Sequence, residues 1–127
     1  MQKTLFHIWV SALKNKLKTK KVKIAVIGLG YVGLPLAHAF AEKNISVPGV
    51  DVDVKRVQSI LRGQSYIADL PSAQLKKQMK RGNLTASDNY DVLARVDAII
   101  VCVPTPLNRF KDPDISYIVS VTEAIAR

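Results

Sequence analysis

The residues best suited to chemistry lie in one short stretch, Gly28-Leu29-Gly30-Tyr31-Val32-Gly33, where three glycines fall at G-x-G-x-x-G spacing. That spacing alone is a weak signal, and its surroundings sharpen it. The stretch follows the β-rich run 21–28 and opens an apolar-faced helix over about 30–43. An acid, Asp51, stands about 20 residues on, at the end of the next expected strand. Each position has a physical task. Gly28 permits a tight turn off the strand, Gly30 lets a pyrophosphate approach the backbone, and Gly33 lets the helix pack close to the sheet. The unpaired N–H groups of the first helical turn, with the helix dipole, would hold the phosphate charge. The carboxylate of Asp51 would accept hydrogen bonds from ribose hydroxyls and repel a 2′-phosphate, which favours NAD over NADP. Lys55 and Arg56 work against that choice, since a nearby cation tolerates the extra phosphate.

These residues need a scaffold, and the pattern supplies one. Leu5, Ile8, Trp9, Ala12, Leu13 and Leu17 recur at helical spacing over 4–18, with lysines mostly on the other side. Strands are expected at 21–28 and at 46–51, the second weakened by Pro48, which has no N–H for the ladder. A helix over 53–61 closes at Gly63, and another spans 72–80. A short strand at 84–86 and a helical turn at 88–94 follow. The apolar run 97–103, stopped by Pro104, reads as a parallel strand buried on both faces. Asp114 can cap a last helix that reaches Arg127. Strands alternating with helices imply a parallel α/β sheet with right-handed crossovers. The expected fold is a truncated, Rossmann-type doubly wound sheet of about four strands over 22–127, preceded by an amphipathic basic helix, 1–21.

Bulk properties agree with one domain: 127 residues, 48% hydrophobic. The net charge of +9 comes largely from Lys14, Lys16, Lys18, Lys20, Lys21 and Lys23. A solvated lysine face is the favoured reading of that run, with nucleic acid and anionic membrane disfavoured as partners. The single cysteine, Cys102, allows no intramolecular disulfide. Met1 to Leu13 superficially resembles a signal peptide, but His7 interrupts the apolar run and lysines replace a cleavage site. The cytoplasm is the expected compartment. Neither His7 nor His38 receives a role.

Beyond the glycine motif, five blocks occur in order: Ile27 to Pro35, Gly49 to Asp53, Gly63 to Ile67, Val101 to Leu107, and Pro113 to Ile118. In these the chain resembles the UDP-glucose/GDP-mannose dehydrogenase family, most of all members acting on UDP-N-acetylhexosamines. The resemblance implies two oxidations at the sugar C6, from alcohol to carboxylate, reducing two NAD. It implies that Gly28, Gly30, Tyr31, Val32 and Gly33 bind pyrophosphate, that Asp51 binds the ribose, and that Arg56 lies beside the adenosine. Val103, Pro104 and Thr105 would line the cofactor cleft. The family's nucleophilic cysteine lies downstream of the residues present here, so Cys102 is expected to be a small core hydrophobe. The chain is accordingly expected to bind NAD without turnover, and a non-catalytic NAD-binding or regulatory module is the alternative. The nucleotide sugar would be met only by the full-length enzyme. In a 3-2-1-4 strand order the 97–103 strand becomes an unpaired edge, expected to be covered by a second copy or by the amino-terminal helix. A homo-oligomer is the resulting expectation.

Overall fold

The computed structural model describes residues 2–127. Helix α1, Gln2–Lys18, leads through a turn into strand β1, Ile24–Ile27. Then come α2 (Gly33–Glu42), β2 (Val47–Val50), α3 (Val54–Leu61), α4 (Ser72–Lys80) and β3 (Leu84–Ser87). A 3-10 turn over Tyr90–Arg95, β4 (Ala98–Val101) and α5 (Ser116–Ala126) complete the chain. All strand pairs are parallel, in the order β3-β2-β1-β4. The expected doubly wound α/β architecture is therefore present, with the strand near residue 100 at an edge.

Side chains alternate across β1, so its two faces build two cores. Val26 points to the thicker one, with Leu34, Ala37 and Ala41 of α2, Ile60 of α3 and Leu75 of α4. Ile27 points to the thinner one, with Val50, Val121 of α5 and residues of the 3-10 turn. The thin side is why β4 departs from expectation. The run 97–103 reads as a strand buried on both faces, yet Val101 is 39% exposed, because among the described residues no strand lies beyond β4 and little covers it.

Pro48 does sit inside β2, and the sheet accommodates it by a break. Val47 donates its N–H to Asn83 beside β3. The β1–β2 ladder has a bridge at Lys23–Ser46 and resumes only at Val26–Gly49, leaving the gap where Pro48 has no donor. Helix α2 begins at Gly33 rather than near Gly30, because residues 29–32 form the turn. Pro35 thereby occupies its first turn, where a missing N–H costs nothing. Asn44, φ 62°, ends that helix in the left-handed conformation asparagine tolerates.

The amino-terminal helix is present, with only Val10 and Leu13 partly covered. It has no buried residue among those described. Its carboxyl end turns through Lys20, φ 58°, with Lys21 N–H donating to the Lys16 carbonyl at 2.9 Å. Asp97, at the start of β4, accepts from the Lys16 ammonium and from the Lys23 N–H, the latter at 2.9 Å. Those donors, the lysine side chain first, hold the Asp97 carboxyl below its ordinary range. Of the two covers expected for the β4 edge, a second copy or α1, the helix does not serve: its contact is made at the strand's foot, and Val101 stays open.

Candidate functional site

The cleft opens at the carboxyl ends of the strands, where chain connections leave β1 in one direction and enter β4 from the other. Its volume is about 740 Å³. Gly28, Gly30, Tyr31 and Val32 form one wall, and Asp51, Asp53 and Arg56 a second. Val103 and Pro104 follow β4 along a third, and Tyr90, Tyr117 and Val121 close the remainder. Gly33 stands behind the wall as the first residue of α2, and Thr105 is exposed one residue beyond the lining.

The glycines separate into two kinds. A Cβ on Gly28, φ +92°, would lie 2.4 Å from the Cys102 carbonyl oxygen, and one on Gly33 would lie 1.6 Å from the Gly28 oxygen. Those two are fixed by backbone packing. Gly30 is different, because a Cβ there would meet nothing nearer than Arg56 Nη1 at 3.6 Å. No protein group demands glycine at that position, so its smoothness serves whatever enters the cleft. The N–H groups of Gly30, Tyr31, Val32 and Gly33 find no acceptor among the described residues, and α2 has no side-chain cap. Unpaired donors at a helix amino terminus are what a pyrophosphate requires.

Asp51 ends β2 and is 4% exposed. One carboxylate oxygen accepts from Leu29 N–H at 2.7 Å, the other from Asp53 N–H at 2.8 Å. Arg56 Nη1 stands 3.4 Å from the first. Asp53 itself caps α3, accepting from the N–H groups of Lys55 and Arg56. The acid that would hold the ribose therefore also ties the glycine loop to β2.

The glycine-loop geometry now has a lineage to be set beside it. Residues 22–127 match the model of the UDP-glucose/GDP-mannose dehydrogenase family, NAD binding domain. The chain belongs to that family. It carries the family's NAD-binding domain. It is 36% identical over 85% of its length to the UDP-N-acetyl-D-glucosamine 6-dehydrogenase of Pseudomonas aeruginosa, of which it spans 25%. It is 39% identical over 81% of its length to the UDP-N-acetyl-D-mannosamine dehydrogenase of Escherichia coli K12, of which it spans 24%. Among solved structures, the UDP-D-ManNAc dehydrogenase of Pyrococcus horikoshii superposes with a TM-score of 0.78 at 35% identity, over 83% of this chain and 25% of that one. The chain thus spans about a quarter of the length of the curated relatives it matches.

Within the family motif Gly63 to Ile67, the structure gives Tyr66 a function that sequence reasoning missed. Its hydroxyl donates to the Leu29 carbonyl, and its ring lies 6.0 Å from the Arg56 guanidinium carbon. Burial, then the Asp51 charge, pushes its hydroxyl up to about 12. Only the placement of Tyr66 in a family block marked it in the sequence. Tyr90, Tyr117 and Val121 were also missed, since 57 to 93 residues separate them from the glycine loop. Cys102 sits just past β4, half-buried, with burial pushing its thiol up, which suits a packing residue rather than a nucleophile. Among the described residues no group of three His, Cys, Asp or Glu is placed to hold a metal ion.

Proposed function

We propose that this chain is the NAD-binding portion of a nucleotide-sugar 6-dehydrogenase, which oxidises the C6 alcohol of a UDP-sugar, by preference a UDP-N-acetylhexosamine, to the carboxylate. The observation that carries the cofactor side of this reading is Gly30: space for a side chain, beside four unpartnered N–H groups, in a cleft that ends at Asp51. Gly28, Gly33, Tyr31 and Val32 shape the pyrophosphate side, while Asp51 receives the adenosine ribose and Arg56 lies beside the adenosine. Val103, Pro104 and, one residue on, Thr105 line the cofactor cleft. The substrate side is supported by the names of the relatives, two of which act on UDP-N-acetyl sugars. Residues 22–127 form the nucleotide-binding unit and 1–21 a basic helix apart from it. With Cys102 as its one thiol, the chain suits the reducing cytoplasm. On its own it binds NAD without turnover, since no described residue near the cleft pairs a nucleophile with a base.

Calorimetric titration with NAD and, separately, NADP tests this. Saturable NAD binding, weaker NADP binding and a loss of about 10- to 100-fold in Asp51→Ala are expected, because hydrogen bonds to a charged group are worth about 1.5–3 kcal/mol. Equal affinity for both cofactors, or an Asp51→Ala variant that binds NAD unchanged, overturns the assignment of Asp51.

A further inference from the structure

Helix α1 leaves its apolar side in solvent. Leu5, Phe6, Ile8, Trp9 and Leu17 are each about half exposed or more, with Trp9 at 58%. At 3.6 residues per turn these side chains spread over one half of the helix, which Lys16 also shares, and Lys3, Lys14 and Lys18 lie together on the other. The sequence alone favours a solvated lysine face over an anionic partner. The structure exposes both sides of the helix.

Apart from Asp97, the charge on this segment has no counterpart among the described residues. The first acidic residue of the chain is Glu42, and before it stand lysines at 3, 14, 16, 18, 20, 21 and 23. Only Lys16 among those on α1 is paired, with Asp97. Whatever covers α1 must therefore offer apolar depth on one side and negative charge on the other. A second copy of this chain brings the same lysines and a net charge of +9 against them. A nucleic acid would satisfy the lysines and leave Phe6, Ile8 and Trp9 in water. A bilayer surface rich in anionic headgroups meets both needs: the aromatic and aliphatic side chains enter the acyl boundary while lysine stems reach the phosphates. No described helix is long and apolar enough to cross a membrane, and α1, at 17 residues with Lys3, Lys14 and Lys18 along one side, fits a position in the interface plane.

We propose that α1 docks the chain onto anionic lipid surfaces, through Leu5, Phe6, Ile8 and Trp9 with Lys3, Lys14 and Lys18 facing the headgroups. Trp9 is the only tryptophan of the chain, so its emission reports on this helix alone. The experiment mixes the full chain with vesicles of phosphatidylcholine containing phosphatidylglycerol and follows Trp9 emission together with co-sedimentation. A blue shift and saturable binding are expected, absent with phosphatidylcholine alone. Ile8→Glu should lose more than tenfold in binding, and Lys14→Gln and Lys18→Gln roughly fivefold each. Both positions are exposed, and a far-ultraviolet dichroism spectrum matching the parent shows that the variants fold. No shift, or equal binding to neutral vesicles, overturns the proposal. A shift produced by raising protein concentration without lipid assigns the face to a second copy instead, and saturation by duplex DNA with no response to vesicles assigns it to nucleic acid. None of these readouts depends on cofactor binding.

Discussion

At the scale of single residues, three glycines of one motif do unlike work, and substitution should tell them apart. Gly33→Ala must place a methyl 1.6 Å from the Gly28 carbonyl oxygen, so it should destabilise the domain by at least about 3 kcal/mol, read as a lower denaturant midpoint. Gly30→Ala has room, with its nearest neighbour at 3.6 Å, and should leave the midpoint nearly unchanged while weakening NAD by tenfold or more. A Gly30→Ala variant that unfolds like Gly33→Ala would show that position 30 is held by packing. The sequence made this motif legible because its requirements are local: turn, strand end, helix start, and an acid at a set distance. It did not make Tyr66 legible, because a tyrosine that touches a loop 37 residues away has no periodic signature of that contact.

At the scale of elements, strand order and helix positions follow from patterning, and the departures come from neighbours. The run Ala98–Val101 has the composition of a central strand, and composition carries no information on whether another strand lies beside it. The 3-2-1-4 order supplied that information, and the exposed flank agrees with it. Helix α1 likewise reads correctly as a helix from its own spacing, while its failure to cover the β4 edge depends on Asp97 drawing Lys16 to the strand's foot. That attachment is testable. Asp97→Ala should free α1, giving faster Trp9 depolarisation and unchanged NAD affinity. The wild type should show the same release in acid. The Asp97 carboxyl is held below 3.8, its ordinary value, so its contribution is fully present above that pH and is lost as pH falls through the lower folded value. Depolarisation insensitive to both changes would mean that the helix is held by other contacts, such as Leu13 or the Lys16–Lys21 turn.

At the scale of the whole molecule, two surfaces stay open for different reasons. The β4 edge and the adjoining α5 carry Val101, Tyr117, Ile118, Val119 and Ile125, all partly exposed and apolar, with no lysine among them. Such a flank favours pairing, and we expect a dimer or larger assembly by light scattering. Mutual repulsion at a net charge of +9 opposes it, so association should strengthen as salt screens that charge. A monomer at high protein concentration and high salt would count against the pairing.

A parallel sheet has two unlike rims, one where every strand begins and one where every strand ends. Asp97 and Lys23 fasten α1 to the first rim, and the glycine loop, Asp51 and Val103 line the second. Four residues of β1 separate the two, so anything that holds α1 sets the compass of the molecule without touching its cleft. With α1 flat against a surface, the nucleotide would arrive from the far side, out of solution, and the helix could be grafted, blocked or removed as a mooring independent of the berth.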